Sequence, residues 1–377
     1  MDWVREVLYD LRNKGLYRRR VRVEGFKDFC SNDYLGLRKH PRVLDAVKRV
    51  LEDYGLGSGA SQLVSGYTEY HYLLEEELAS FKDTPACVLF GSGYLANVGT
   101  IPLLAGERDL IVSDELNHAS LIDGCRLSKA EKFIFRHRDY GQVEKFLREK
   151  RHRFRRVVLI TDTVFSMDGD RADLRALYEI AERYDCILYL DEAHATGTLG
   201  GGRGGLREFG LEWEEWVVVM GTLSKAIGSY GAFVCGSKNL IELLINGART
   251  LIFTTSIPPA VCAGALESLR IIKENPGMVE KLLELSRFAH RELKKLPFEV
   301  RFGETPILPI MVGDEGKALR LSENLLKRGV LLQAIRYPTV PRGAARLRLT
   351  VNLSHTKEDI RELAEILTEE AFKINFT

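Results

Sequence analysis

Between Tyr67 and Gly236 the chain alternates helical patterns with short, β-rich apolar runs, and this alternation constrains its fold more than any other feature. The runs are ACVLF, DLIVSD, KFIFRH, VVLITD, CILYLD, VVVMG and AFVCG, separated by segments such as YTEYHYLLEEELASF, whose apolar residues recur at helical spacing. A parallel strand pair needs a crossover long enough to hold a helix, so the repetition predicts a largely parallel sheet with helices on both faces. Ligands of such sheets bind outside the carboxyl ends of the strands. Asp114, Asp162, Asp191 and Gly221 all close apolar runs, and they are expected to converge on one crevice.

After Pro276 the pattern changes to helix (GMVEKLLELSRFAHRELKKL), strand (ILPIMVG), helix (EGKALRLSENLLKRG), strands VLLQAI and ARLRLTV, and a last helix. Thr356 and Asp359 are spaced as a capping box at the start of that helix. With 377 residues, too many for one simple core, the chain reads as α/β with two domains. A large domain over residues 46–275 carries the mainly parallel sheet, and a small α+β domain covers 276–377, joined by an amino-terminal segment of residues 1–45.

The 54 Lys and Arg residues balance 53 Asp and Glu, so no global field draws in nucleic acid or an anionic membrane. Anionic ligands must be met locally. The most basic stretch, REKRHRFRR at 148–156, lies between a helical pattern and the strand VVLIT and reads as solvated surface. Cysteines at 30, 87, 125, 186, 235 and 262 show neither CxxC nor metal-ligand spacing, and reduced, buried thiols fit a cytoplasmic protein. The opening MDWVREVLYDLRNKGL has helical spacing without the unbroken apolar core of a signal peptide. No run approaches the roughly 20 apolar residues of a membrane helix.

Chemistry concentrates in two segments, VVVMGTLSKAIGSYG with Lys225 and YLDEAHATG with Asp191, 34 residues apart. Each residue sits at the end of an apolar strand. Lys225 has small or hydroxylated neighbours, Gly221, Thr222, Ser224 and Gly228, unlike the setting of an ordinary surface lysine. The pairing suits pyridoxal 5′-phosphate (PLP): a lysine forms a Schiff base with the aldehyde, and a buried carboxylate keeps the pyridine nitrogen protonated. Thr222 and Ser224 are candidate phosphate donors.

Other segments add weaker signals. GSGYLANVG at 91–99 follows a strand and opens a helix, so its amides could cradle a phosphate, although an ordinary strand-to-helix turn fits equally well. Its spacing is not GxGxxG. GLGSGASQLVSGY is either a binding loop or a flexible crossing. His118 follows strand-terminal Asp114 by four residues, Ser166 follows another strand in DTVFSMDGD, and His194 follows Asp191 by three. A metal site built from His118, Asp191 and His194 lacks HExxH or a further acidic cluster, and Ser166 lacks the GxSxG elbow. Neither alternative accounts for Lys225, so no metal is expected. Arg346 and Arg348 share one face of a strand. One of them could hold a carboxylate bidentately, while the pattern alone favours a cationic outer face on an edge strand.

Taken together, SNDYLGL (31–37), GSGASQLVSGY (57–67), GSGY, DELNHASLIDG, FSMDGD, DEAHATG, TLSKAIG and PTVPRGAARLRLT run in one order from Ser31 to Thr350. By these motifs the chain resembles the α-oxoamine synthases, fold type I PLP enzymes that condense an amino acid with an acyl thioester and release carbon dioxide. The resemblance implies Lys225 as the Schiff-base lysine, Asp191 as the pyridinium partner and His118 stacked on the ring. It also places His194 and Ser166 near the phenolic oxygen, and Gly93, Tyr94 and Thr222 on the cofactor. Arg348 would hold the amino-acid carboxylate, with Arg18 and Thr339 facing the acyl group. The Arg18 register competes with Arg19 and Arg20.

The basic RRR and the PTVP motif favour members that join L-alanine to a pimeloyl thioester in biotin synthesis. Tyr337 and Ala344 depart from the usual proline and threonine, which bears on acyl selectivity. Glycine C-acetyltransferase and 5-aminolaevulinate synthase share most of the remaining pattern, and an aminotransferase is the more distant alternative. A homodimer with shared active sites follows by analogy.

Overall fold

The computed structural model describes residues 1–374. Its central sheet has seven strands: β1 (Ala86–Phe90), β2 (Leu110–Asp114), β3 (Glu131–Phe135), β4 (Val157–Asp162), β5 (Ile187–Asp191), β6 (Val217–Thr222) and β7 (Ala232–Gly236). They lie in the order β1-β7-β6-β5-β4-β2-β3. Every pair is parallel except those made by β7, which runs antiparallel to both β1 and β6. All seven expected strands are therefore present, in a fold of the expected class.

Both faces of this sheet are covered, which explains why its strands read as unbroken apolar runs. In β4, Val157 and Leu159 enter one buried cluster while Val158 and Ile160 enter another. That division follows from side chains alternating across a strand. The helix Gly93–Leu104 supplies Ala96, Ile101 and Leu104 to the second cluster, and Pro259–Glu274 supplies Cys262, Leu266 and Leu269 to the first.

A four-stranded antiparallel sheet orders the strands Ala334–Ile335, Ala345–Thr350, Ile307–Gly313 and Glu299–Val300. The helices Gly277–Leu293, Glu315–Lys327 and Lys357–Lys373 accompany it, and the last begins with the expected Thr356–Asp359 capping box. VLLQAI, expected as one strand, is two. Val330–Leu331 pairs in parallel with Lys27–Asp28, whereas Ala334–Ile335 pairs with Leu347 and Arg346. The chain changes partners at Gln333, whose amide lies 3.3 Å from Cys30 Sγ and whose carbonyl accepts from Arg348 N at 3.2 Å.

Ala345–Thr350 is an inner strand rather than an edge, and Arg346 and Arg348 are buried. Their pattern resembles an exposed cationic face only because a sequence does not record which carbonyls and carboxylates lie opposite. The basic stretch 148–156 is also only partly solvated. Arg155 and Arg156 both close onto the buried Asp109, while His152 and Arg153 are exposed. Among the described residues, no helix is long and apolar enough to cross a membrane.

Candidate active site

The carboxyl ends of β4, β5 and β6 open on a cavity of about 200 Å³ whose lining includes Gly93, Asn97, His118, Asp162, Asp191, His194, Thr222 and Lys225. Asp191 ends β5 and is buried. Its Oδ2 accepts from Asn97 Nδ2 at 2.8 Å and its Oδ1 from the Ala193 amide at 2.9 Å. Two donors satisfy this carboxylate within the low-dielectric interior, so its negative charge is held in a fixed direction.

Asn97 is held in turn. Its Oδ1 accepts from Tyr189 OH at 2.8 Å, and its Nδ2 also reaches Ser120 Oγ at 2.9 Å. Ser120 Oγ lies 2.7 Å from His118 Nδ1, which also accepts from the Ser120 amide at 3.3 Å. With Nδ1 as the acceptor, the neutral ring carries its proton on Nε2. Burial lowers the His118 pKa, as does Lys225, against an opposing pull from Asp191. The backbone of His118 is pinned as well, its amide donating to Asp162 Oδ2 at 2.7 Å.

Lys225 follows β6 in a tight turn, where Gly228 N donates to Lys225 O at 2.8 Å. Its Nζ lies 3.0 Å from His194 Nε2, and His194 Nδ1 lies 2.6 Å from the buried Tyr34 hydroxyl. Desolvation brings the Lys225 pKa down to about 8, although Asp191 and Asp162 pull it up. The amine is thus available as a neutral nucleophile near pH 7 to 8, where an ordinary lysine is fully charged. Burial, Lys225 and Arg348 hold the His194 imidazole well below its ordinary range.

The anion-binding end comes from a helix start and a hydroxyl pair. Gly93–Leu104 is capped by Ser92, whose Oγ accepts from Leu95 N and whose carbonyl accepts from Ala96 N. The amides of Gly93 and Tyr94 remain for a ligand at the positive end of the helix dipole. Thr222 Oγ1 lies 2.7 Å from Ser224 Oγ and donates to Gly231 O. The helix amides, with an amine, a buried carboxylate and a neutral imidazole on one cavity, fit the phosphate, aldehyde, ring nitrogen and ring face of PLP.

Arg348 and Arg346 separate clearly. Arg346 forms a buried ion pair with Asp168. Arg348 donates from Nε to Ser166 O at 2.5 Å and from its terminal nitrogens to Asn32 Oδ1 and Thr350 Oγ1, and among the described residues it has no carboxylate partner. Its positive charge is therefore uncompensated, although most of its N–H groups are engaged and it stands outside the residues that line the cavity. Arg18 NH2 lies 3.4 Å from Thr339 Oγ1 although 321 residues separate them, and both are exposed.

Not every expected residue joins the cavity. Asp114 turns away to His137 and the Arg138 amide, and a Cβ at Gly221 would lie 2.3 Å from the Phe233 ring, which identifies it as a packing glycine. The expected convergence of four strand ends therefore holds for Asp162 and Asp191 but not for Asp114 or Gly221. Ser166 is outside the lining and meets Arg348 through its carbonyl. Tyr94 does line the cavity, with its hydroxyl donating to Asp123 at 2.6 Å. Asn97, Ser120, Tyr34 and Asn32 carry no role in the sequence reading. A polar residue inside the apolar GYLANVGTIPLL was the available signal for Asn97, and the SNDYLGL motif for the other pair.

A larger cavity of about 380 Å³ adjoins Lys82, Glu192 and Arg203. Lys82 there already donates to Glu192, Thr196 Oγ1 and Arg203 O, so its polar capacity is spent within the protein. Among the described residues no group of three or more His, Cys, Asp or Glu side chains could hold a metal ion.

Known proteins align with this description along nearly the whole chain. The family described as aminotransferase class I and II matches residues 25–367. A protein of Aquifex aeolicus is 59% identical over 97% of this chain and 98% of its own. The 8-amino-7-oxononanoate synthase of Symbiobacterium thermophilum is 45% identical over 96% of this chain and 95% of its own. Among solved structures, SPT with a PLP internal aldimine superposes with a TM-score of 0.90 at 28% identity, over 100% of this chain and 98% of that one. The 8-amino-7-oxononanoate synthase of Francisella tularensis superposes with a TM-score of 0.79 at 28% identity, over 93% and 99%. The chain thus belongs to the aminotransferase class I and II family, as an α-oxoamine synthase of fold type I.

Proposed function

We propose that this chain is a PLP-dependent acyltransferase that condenses L-alanine with a pimeloyl thioester. The products are 8-amino-7-oxononanoate, carbon dioxide and the free thiol, in biotin synthesis. The observation that carries the reading is the joint presence of a neutralisable Lys225 amine, a charge-oriented Asp191 and a buried Arg348 without a carboxylate partner. Relatives bearing the 8-amino-7-oxononanoate synthase name span nearly the whole chain, which supports the choice of substrates.

When bound, PLP supplies an aldehyde for the amino group and a ring that accepts the electron pair left at the substrate Cα. Asp191 would hold positive charge at the ring nitrogen, with Asn97 keeping the carboxylate aimed. Lys225 would hold the cofactor through Nζ, and the same amine would remove and return the Cα proton. His118 would lie against the ring and would offer Nε2–H to the thioester oxygen, its Nδ1 being engaged by Ser120. Gly93, Tyr94 and Thr222 would hold the cofactor at its phosphate end and His194 would face its phenolic oxygen, whereas Ser166, outside the lining, would act through its carbonyl on Arg348. Arg348 orients the alanine carboxylate, and Arg18 with Thr339 receives the acyl chain.

The same reading takes residues 46–275 as the cofactor domain and 1–45 with 276–377 as the smaller unit. It also takes the active protein as a cytoplasmic homodimer with shared sites. Leu56, Leu63, Val64 and Phe253 are exposed, on two segments joined by Ser256 N to Ala60 O at 3.0 Å, and such apolar exposure suits a partner subunit. Light scattering should give a dimer. The direct test offers alanine or glycine with pimeloyl, acetyl and succinyl thioesters and identifies products by mass spectrometry. Alanine with the pimeloyl thioester should give the dominant aminoketone, and turnover confined to any other pair would reject the assignment. Rapid pyruvate formation without thioester would instead mark an aminotransferase.

A further inference from the structure

Asp162 and Asp191 end neighbouring parallel strands and are register partners in the sheet, so two carboxyl groups line one cavity side by side. Each is only 3% exposed. Two like charges side by side in a buried setting raise the pKa of one carboxyl, which then keeps its proton near neutral pH. Their partners decide which one keeps it. Asp191 receives a donor on each oxygen, Asn97 Nδ2 and Ala193 N, whereas among the described residues Asp162 receives only the His118 amide, on Oδ2.

We propose that Asp162 is a positioning residue of this site, holding the proton of the carboxyl pair and fixing the His118 backbone, so that the negative charge stays on Asp191. The groups facing Asp162 are consistent with this division. Burial and then Asp191 push its pKa well above the ordinary carboxyl range, with Asp114 adding to the effect, while the His118 amide and Lys225 oppose it. Asn117 braces the same turn, accepting from the Asp162 amide at 2.9 Å and donating to Ile160 O at 2.9 Å. A neutral Asp162 leaves Lys225 and the ring nitrogen a single counter-charge, whose direction Asn97 sets. The inference rests on reading the cavity as the cofactor site, but its first test does not need the cofactor.

That test compares apoprotein melting for wild type, Asp162→Asn, Asp162→Ala and Asp191→Asn. A carboxyl whose native pKa is raised above its unfolded value lowers stability as pH climbs from about 4 towards the native pKa, because only the unfolded chain ionises freely. Asp162→Asn keeps an acceptor for His118 N and replaces the held proton with an amide. Its apoprotein should melt a few degrees above wild type near pH 8, with the gap closing near pH 4. Asp162→Ala should melt below Asp162→Asn at every pH. In cofactor titrations Asp162→Asn should bind PLP within about threefold of wild type and Asp191→Asn more than tenfold more weakly, a difference of over about 1.4 kcal/mol. An Asp162→Asn protein that melts at or below wild type throughout, or loses PLP as Asp191→Asn does, overturns the proposal. Failure of wild type to take up PLP at Lys225 would instead remove the cofactor reading, while the melting comparison still decides the state of the pair.

Discussion

Asn97 Nδ2 donates to Asp191 Oδ2 at 2.8 Å from inside a helix that is otherwise apolar at its buried positions apart from Thr100. The side chain is fully buried, and its oxygen is taken by Tyr189 and its nitrogen by Asp191 and Ser120. Asn97→Ala should lower stability by about 1–3 kcal/mol, because Tyr189 OH and one Asp191 oxygen lose partners. It should also weaken PLP retention. Asn97→Asp should be worse, since a second carboxylate would face Asp191. Melting curves and equilibrium dialysis with PLP measure both effects, and cofactor affinity equal to wild type in Asn97→Ala would show that Asp191 needs no such guide.

Lys225 carries a prediction in pH. With its pKa brought to about 8 by burial, trapping of an aldehyde on the apoprotein by borohydride should titrate with a midpoint near 8. An ordinary lysine would titrate near 10.4. Asp191 pulls the Lys225 pKa upward, so Asp191→Ala should move the midpoint lower. Lys225→Ala should abolish both trapping and turnover. Peptide mapping of the reduced adduct checks the site.

The neighbouring arginines should fail in different ways. Arg348→Lys retains charge but loses the planar fork and most of its bonds to Ser166 O, Asn32 and Thr350, and it should raise the KM for alanine by about ten- to a hundredfold while costing about 1–3 kcal/mol of stability. Arg346→Ala removes a buried side chain from partly exposed Asp168, which still has Arg301 at 3.7 Å, and should destabilise the fold by about 1–3 kcal/mol, more than Arg348→Lys because packing is also lost. Steady-state kinetics and thermal melts of the two variants separate substrate binding from support. A stable Arg346→Ala enzyme with a raised alanine KM would exchange their roles.

The strands were legible because burial on both sheet faces leaves continuous apolar runs, and the carboxyl ends of the central ones, β4, β5 and β6, open on the cavity. Lys225, Asp191, His118 and His194 were found on that basis. The residues that hold them were not. Asn97 touches Asp191 across 94 positions of chain, and Tyr34 touches His194 across 160. Such pairings exist only after the crossovers have formed. The same limit explains Asp114, which closes an apolar run as Asp191 does but faces the loop that carries His137. It also explains Arg346 and Arg348, alike in pattern and distinguished only by Asp168 lying opposite one of them.

His137 gives Asp114 its place and leads to a pH dependence of stability. Its Nδ1 lies 3.0 Å from Asp114 Oδ1 and its Nε2 2.8 Å from Asp170 Oδ2, tying the exits of β2 and β3 to the FSMDGD loop that supports Arg348. Burial alone would lower the His137 pKa, but the two carboxylates outweigh it and raise the value to about 9. Because the native pKa lies above the unfolded one, the protonated ring stabilises the fold fully below about pH 6.5. That contribution is lost as pH rises through about 9. The gap corresponds to about 3 kcal/mol at most. His137→Gln should therefore lower the melting temperature at pH 6 and differ little from wild type near pH 10. A destabilisation that is the same at both pH values would mean that the ring acts through packing on Phe165, 4.4 Å away, and not through its charge.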